Sequence, residues 1–245
     1  MTDSDLSIYQ RLQCDLSLLI QSAPKGTKLP SEPELAEKFG VSRATLREAM
    51  RTFESQGLLR RRQGLGTFVV GPTQVIDSGL EVLESIETQA EKIGLKVKMG
   101  AFEISEDKAD SEVSQKLNLA EGDPVLKVSR VILTEDAPVA YLVDILPEGV
   151  LPASLLENRF SGSVLDLLIN KGNPPLSISK TEISAIHAPS DVAKALNVQR
   201  GDTMLLLNGL LFNEKGDPID CSQSYFLPGY FRLHIIRKIG GVSTS

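Results

Sequence analysis

The 245-residue sequence has no tryptophan, only two cysteines and only two histidines. Cys14 and Cys221 are too far apart to form a metal-binding or redox motif, which indicates packing roles in a reducing compartment. His187 and His234 are isolated and lack the spacing of metal ligands. These absences exclude the common zinc and disulfide frameworks, and we expect neither a metal nor a cofactor.

Long apolar runs are also missing. The most apolar stretch, residues 204–212, is interrupted and too short to span a bilayer. The chain does not begin with a charged segment, an apolar stretch and a cleavage site, as a secretory signal does. We therefore expect a cytoplasmic protein without a membrane partner.

Positive charge is scarce overall but concentrated in one segment. The net charge is −6, yet residues 40–70 contain six arginines and two glutamates, a local net charge of +4. The remainder of the chain therefore carries −10. This distribution confines any contact with nucleic acid to a small basic segment.

Three helices are predicted within the first 57 residues. Apolar residues recur at helical spacing from residue 8 to residue 20, which predicts the first helix. Ser31 and Glu34 form a capping box for a short second helix that ends near Gly40. Ser42 is a good N-cap for a third helix, which Gly57 closes.

The third helix is predicted to have an apolar face and a basic face. Arg43, Arg47 and Arg51 lie four residues apart, opposite the apolar positions. Such a stripe is more often a solvated face than a DNA-reading surface. Here two short strand-like runs, 58–62 and 67–70, follow it and form a basic hairpin. This order of elements is that of a winged helix-turn-helix.

The rest of the chain divides into a connector and a second module. Apolar spacing between residues 76 and 93 predicts a connector helix that Asp77 or Ser78 caps. We therefore expect a DNA-binding domain over residues 1–76, a connector helix over 77–94 and a larger domain over 95–240.

The larger module contains an internal repeat. Residues 111–123 align with residues 190–202 at a constant offset of 79. Matching strand candidates follow in each copy, and each then reaches a polar turn that ends in proline, at Pro138 or Pro218. Each copy predicts helix, strand, turn and strand, so this module should be an α+β domain with two related halves and a cleft between them.

The N-terminal segments 29–32, 39–49 and 57–69 closely resemble the GntR family of bacterial regulators. The resemblance implies base or phosphate contacts by Arg43 and Arg47, phosphate contacts by Ser42 and Thr45, and minor-groove approach by the wing. The family usually has arginine where this chain has Pro33, so its operator preference is expected to differ. The DNA-binding residues predicted in this way are Ser42, Arg43, Thr45, Arg47, Arg62, Gln63, Gly64, Gly66 and Thr67.

Residues 92–238 resemble the UTRA ligand-sensing domain of HutC-type regulators, which has a chorismate-lyase-like fold. Relatives that sense sugar phosphates hold the phosphate with two arginines and a serine like Ser163. This chain keeps Arg130 but has Ile132 at the second arginine position and Leu142 where glutamate is common. The resemblance therefore implies a carboxylate or a neutral polar metabolite as effector.

Seven residues are candidates for effector binding, and each has a structural alternative. Ser163 caps a helix that begins at residue 164 or contacts the ligand, or does both. Asp144 and Asp220 lie in strand-like runs, where an unpaired carboxylate is costly to bury. Tyr225 and Tyr230 are of a type that is more often found in cores. The full set is Arg130, Asp144, Ser163, Asp220, Ser222, Tyr225 and Tyr230.

The sequence thus predicts an α+β protein that acts as a homodimeric, ligand-responsive repressor on a palindromic DNA operator. An enzyme that uses the lyase-like domain is one alternative, but no nucleophile and base pair is visible and fold alone does not decide function. An architectural DNA-binding protein without an effector is the other.

Overall fold

A computed structural model describes residues 8–55, 57–62, 64–70, 76–134, 137–152, 155–156, 160 and 162–237. The helices in these ranges are α1 (Ile8–Ser22), α2 (Glu32–Phe39), α3 (Arg43–Ser55), α4 (Ile86–Lys92), α5 (Ser111–Leu117), α6 (Val164–Lys171) and α7 (Ser190–Leu196). The strands are β1 (Leu59–Arg62), β2 (Gly66–Val69), β3 (Ile76–Gly79), β4 (Val97–Lys108), β5 (Pro124–Thr134), β6 (Ala137–Pro147), β7 (Leu176–His187), β8 (Thr203–Asn213), β9 (Pro218–Phe226) and β10 (Phe231–His234). No helix in the described ranges is long and apolar enough to cross a membrane.

The first three helices pack around one apolar core, as the sequence predicted. Leu16, Leu35 and Leu46 are fully buried and belong to the same cluster. The capping box of α2 is formed, with the Ser31 backbone N donating to Glu34 Oε2 at 2.7 Å. Ser42 Oγ accepts from the Thr45 backbone N at 3.1 Å at the start of α3. Local capping therefore sets the helix boundaries in this domain.

The hairpin that follows α3 is the predicted wing. β1 and β2 pair antiparallel, with Arg62 opposite Gly66 at the turn. Gly66 has φ 115°, a backbone conformation that favours glycine. The wing is fixed to the helices by the Leu29 backbone N, which donates to the Thr67 carbonyl at 2.8 Å.

The C-terminal domain is built on one antiparallel sheet with the strand order β4-β5-β6-β9-β8-β7. The predicted repeat is confirmed, because α5 and α7 begin at Ser111 and Ser190 and each is followed by two paired strands. Each half also begins with a long strand, β4 or β7, that the sequence analysis did not include. The halves meet where β6 pairs with β9.

The two faces of this sheet carry different helices. Successive strand residues point to opposite faces. On one face α5 packs in a cluster with Ile145 and Cys221, and α7 shares a cluster with Tyr225. On the other face α4 and the start of α6 enclose a cavity, to which β6 contributes Asp144 and β9 contributes Asp220.

The connector differs from the predicted helix over residues 77–94. Residues Ile76–Gly79 form β3, which pairs in parallel with β10 near the end of the chain. The helix is confined to Ile86–Lys92, and its N-cap is Ser85, whose Oγ accepts from the Thr88 backbone N at 3.0 Å. Asp77 is not the N-cap of this helix but lies in β3, where it pairs with His234 at 2.9 Å. A strand partner more than 150 residues away overrides the local helical spacing.

Candidate functional site

The basic face of α3 is exposed. The Arg47 and Arg51 side chains are 49% and 69% accessible, and Arg43 is exposed at the first turn. At the start of the helix the Ser42 and Thr45 hydroxyls lie 2.8 Å apart at the surface. The helix therefore presents two hydroxyls and three arginines on one side, a composition suited to phosphates and base edges.

Glu32 holds one of these arginines in place. Arg47 donates to Glu32 Oε2 through Nε at 3.3 Å and Nη2 at 3.0 Å, and Arg61 of the wing pairs with Glu32 Oε1. Burial alone would raise the pKa of Glu32. The hydrogen bond from Arg47 and the charge of Arg61 outweigh that effect, so the pKa lies below its ordinary value. Glu32 thus joins the recognition helix to the wing.

The wing adds further positive charge at the surface. Arg62 is exposed and lies over the Phe68 ring, 5.1 Å from its centroid. Lys28, which the sequence analysis did not select, lies beside Gly66, so that a Cβ there would approach Lys28 Cε to 2.7 Å. Lys28 lies beside the wing because its segment forms a β-bridge with Phe68. The two residues are 40 positions apart, so no local sequence pattern predicted this contact.

Two of the predicted DNA-binding residues, Thr67 and Gln63, are not part of the exposed surface that the structure describes. The Thr67 side chain is only 7% exposed, because residues of β2 alternate between the surface and the core. Its side chain therefore cannot reach a groove without rearrangement. Gln63 lies outside the described residues, and Gly64 is exposed at the turn.

A cavity of about 530 Å³ lies on the inner face of the C-terminal sheet. Residues 79–86 of the connector cover it, and the start of α6 closes one side. Five of the seven predicted effector residues line it, from strands that are far apart in sequence. These residues are Arg130, Asp144, Ser163, Asp220 and Ser222.

Arg130 is buried beside this cavity and already has an acidic partner. Its Nη1 donates to Glu87 Oε1 at 3.1 Å and also to the Gly162 carbonyl, and its guanidinium lies over Phe160. Its Nε has no hydrogen-bond partner among the described residues. Glu87 was not predicted, because the connector helix was expected to begin several residues earlier.

Asp144 and Asp220 are neighbours on the cavity face. Asp144 lies opposite Ser222, so Asp220 is its diagonal neighbour across the β6–β9 pair. Burial raises the pKa of Asp144 to about 6, against the opposing charge of Arg130. Burial, reinforced by repulsion from Asp144, raises the pKa of Asp220 well above its ordinary value. The pair is a concentrated source of hydrogen-bond acceptors.

Ser163 has the capping role that the sequence predicted, and its contact with an effector stays a prediction. Its Oγ accepts from the Asp166 backbone N at 3.2 Å, so it is the N-cap of α6. It also lines the cavity, although its side chain is almost completely buried.

Tyr225 and Tyr230 lie away from this cavity. Tyr225 is on the other face of the sheet, where its hydroxyl donates to Gln223 Oε1 at 3.2 Å. Tyr230 lies between the two domains, in the lining of a second cavity of about 450 Å³. Its hydroxyl accepts from Arg60 Nη2 at 3.0 Å, and the same nitrogen donates to the Pro138 carbonyl at 3.2 Å. Tyr230 therefore contacts the wing.

Two family models match separate parts of the chain. The model for bacterial regulatory proteins of the gntR family matches residues 6–69, and the UTRA domain model matches residues 92–232.

Several transcriptional regulators are similar to this chain over most of its length. An HTH-type transcriptional regulator of Mycobacterium tuberculosis is 30% identical over 224 residues, which is 89% of this chain and 80% of the relative. The HTH-type transcriptional repressor NagR of Bacillus subtilis is 28% identical and covers 91% of each chain. A histidine utilization repressor of Pseudomonas aeruginosa is 29% identical, over 82% of this chain and 79% of the relative.

A solved structure has the same fold. The crystal structure of PhnF from Mycobacterium smegmatis aligns with a TM-score of 0.63 at 24% identity, and covers 94% of this chain and 100% of that one. The relatives named above are transcriptional regulators rather than enzymes.

Proposed function

Because the chain belongs to the GntR family of bacterial transcriptional regulators and carries a UTRA effector-binding domain, we propose that it is a homodimeric repressor that a small cytoplasmic metabolite releases from a palindromic operator. Its DNA-binding surface consists of α3 and the wing. Its effector site is the cavity that Arg130, Asp144 and Asp220 line.

The observation that carries this proposal is that the connector between the domains is also the cover of the cavity. Residues 79–86 line the cavity directly, and β3 leads into them from the DNA-binding domain. The Ile76 backbone N donates to the Tyr230 carbonyl at 2.9 Å, and the Tyr230 hydroxyl contacts Arg60 of the wing. A ligand that moves the cover therefore acts on segments that touch the wing.

The DNA contacts follow from the exposed groups. We assign base or phosphate contact to Arg43 and Arg47, phosphate contact to Ser42 and Thr45, and groove contact to the wing turn with Arg62, Gln63, Gly64 and Gly66. Arg47 must exchange Glu32 for DNA when it binds. The free energy needed to break the Arg47–Glu32 ion pair therefore offsets part of the gain from the DNA contact.

The dimer follows from the small footprint of one winged domain. One recognition helix reads few base pairs, and useful specificity needs two helices at a fixed separation. The C-terminal domain is the better contact between copies, because two basic domains repel each other when no DNA lies between them.

Selection of bound sequences from a random DNA pool by the full-length protein tests the proposal. We expect an enriched palindrome, to which Arg43→Ala binds poorly. Lys194→Ala removes the same unit of charge from an exposed helix of the C-terminal domain and should bind normally. Enrichment of no sequence, or equal binding by both variants, would refute the DNA assignment.

A further inference from the structure

The charged groups that line the effector cavity are predominantly acidic. Among the described lining residues, Glu81, Glu84, Asp144 and Asp220 are acids and Arg130 is the single base. Arg130 is already paired with Glu87, which is not part of the lining. Glu84 is paired with Lys92, so Glu81 and the two aspartates are the acids of the lining without a basic partner among the described residues. The lining thus favours a cation over an anion.

Some buried polar atoms of the cavity lining have no hydrogen-bond partner among the described residues. Asp144 Oδ2 and Asp220 Oδ1 have no partner within the described part of the chain, although both residues are more than nine-tenths buried. An ionised carboxylate oxygen can only accept, so a ligand that donates hydrogen bonds would satisfy both atoms. The Arg130 Nε is the one donor nearby in the same condition.

The rest of the cavity is suited to an apolar body with few further polar contacts. Leu207, Leu211 and Phe226 form walls beside the two aspartates, and the Ser222 and Ser224 hydroxyls lie on the same strand as Asp220. A volume of about 530 Å³ matches a small metabolite.

We infer that the effector is an organic ammonium ion, whose positively charged nitrogen is held between the unpartnered oxygens of Asp144 and Asp220 while its apolar part contacts the leucine and phenylalanine wall. This inference rests on the proposed role of the cavity as the effector site. An ammonium group offers three donors and no acceptor, which matches the two carboxylates. A carboxylate ligand would bring only acceptors beside them, so the cavity disfavours the carboxylate that was one of the two effector classes implied by the resemblance.

Binding of a cation also changes the ionisation of the pair. Arg130 and its partner Glu87 act on the pair directly, and Glu81 and Glu84, of which Glu84 is paired with Lys92, line the same cavity. Burial raises the pKa of each aspartate, so the pair retains protons to a higher pH than ordinary carboxyl groups do. The ammonium favours the ionised form, so binding releases protons and strengthens as the pH rises from 5 to 8.

The test uses two matched series of probes on the full-length protein without DNA. Benzylammonium, benzyl alcohol and benzoate share one ring and differ in charge, and hexylammonium, hexanol and hexanoate do so on a flexible chain. We expect at least one ammonium probe to bind more tightly by calorimetry, and to raise the melting temperature more, than its alcohol and carboxylate counterparts. Preference for a carboxylate, or no binding by either ammonium probe, would overturn the inference.

Substitutions locate the site. Asp144→Asn and Asp220→Asn should each weaken ammonium binding about 10- to 100-fold, as expected for loss of a charge-assisted hydrogen bond. Glu182→Gln removes an exposed carboxylate outside the cavity and should leave binding unchanged. Should an asparagine variant fail to fold, the pH dependence of wild-type binding decides, because affinity that does not rise from pH 5 to pH 8 excludes the aspartate pair.

Operator release is measured separately from binding. An ammonium probe that binds but does not release DNA would contradict the proposed repressor mechanism and leave the inference intact. Release of DNA by a carboxylate, with no binding of ammonium probes, would overturn the inference and leave the proposed repressor mechanism intact.

Discussion

Arg60 of the wing donates a hydrogen bond to the hydroxyl of Tyr230 at 3.0 Å, and its guanidinium carbon lies 5.4 Å from the centroid of that ring. Burial lowers the pKa of Arg60, and the contact with Tyr230 partly opposes this effect. Arg60 is half-buried, and its hydrogen bonds to the Tyr230 hydroxyl and the Pro138 carbonyl replace contacts with water. This contact joins the wing to the C-terminal domain.

Weakening this contact should uncouple the effector from DNA. Tyr230→Phe keeps the ring and removes the hydroxyl, so the coupling free energy between the two ligands should fall by about 0.5 to 2 kcal/mol. The measurement is operator affinity with and without a bound effector. Tyr225→Phe is the matched control, because its hydroxyl donates to Gln223 on the other face of the sheet. If Tyr225→Phe alters the response and Tyr230→Phe does not, the path through Arg60 is wrong.

The arginines of α3 should contribute directly to operator affinity. We expect Arg43→Ala and Arg47→Ala each to cost about 1 to 3 kcal/mol where a base is read. Lys28→Ala should weaken binding evenly across sequences and reduce the slope of the salt dependence by about one, as for a phosphate contact. Mobility-shift titrations at several salt concentrations separate the two kinds of contact. Unchanged affinity in both arginine variants would exclude α3 as the reading helix.

Removal of the Glu32 carboxylate should tighten binding to DNA. Glu32 competes with phosphates for Arg47 and Arg61, so Glu32→Gln should raise the affinity for DNA of any sequence about 2- to 5-fold, the strength of a partly exposed ion pair. Glu48→Gln removes equal charge from the same domain, where the carboxylate pairs with Arg51 at 3.7 Å. Equal gains in the two variants would mean that net charge alone is responsible.

The aspartate pair should make the unliganded protein less stable as the pH rises. The folded-state pKa of Asp144 is about 6 and its ordinary value is 3.8. Between these values the unfolded chain loses a proton that the folded chain retains, so the free energy of unfolding falls from about pH 4 to about pH 6.

Asp144→Asn should remove part of this decline and stabilise the protein at pH 7, by on the order of 1 to 3 kcal/mol. Melting temperatures from pH 4.5 to 7.5 provide the measurement, with Glu182→Gln as the control. A wild-type profile parallel to that of Asp144→Asn would show that Asp144 is ionised in the unliganded protein.

Local signals predicted the N-terminal domain well, and the connector poorly. The caps of α2 and α3 depend on Ser31, Gly40 and Ser42, which act within a few residues of themselves. β3 forms because it pairs with β10, which lies at the other end of the chain. The residues near Ile76 therefore could not predict this strand. Glu87 was not predicted for the same reason, because its contact with Arg130 depends on where α4 begins.

The effector residues show which part of a site a sequence can reveal. Arg130, Asp144, Ser163, Asp220 and Ser222, which the resemblance grouped together, line one cavity, and their role in effector binding stays a prediction. Tyr225 was wrongly grouped with them, although Asp220 and Tyr225 are an odd number of residues apart on one regular strand and so face opposite sides. The charge balance of the cavity could not be predicted, because it depends on connector residues such as Glu81 that the fold places over the sheet.

The repeat in the C-terminal domain has a consequence for stoichiometry. At the offset of 79, Gly209 occupies in the second half the place of Arg130 in the first, and the two pair with the equivalent residues Thr181 and Phe102. A Cβ at Gly209 would come within 2.6 Å of Ser222 Oγ, so this place is kept free of a side chain. The two related halves thus contribute a guanidinium at one position of the cavity lining and a glycine at the equivalent position. The site therefore distinguishes head from tail, and a titration should saturate at one oriented molecule per chain rather than at two related by the symmetry of the fold.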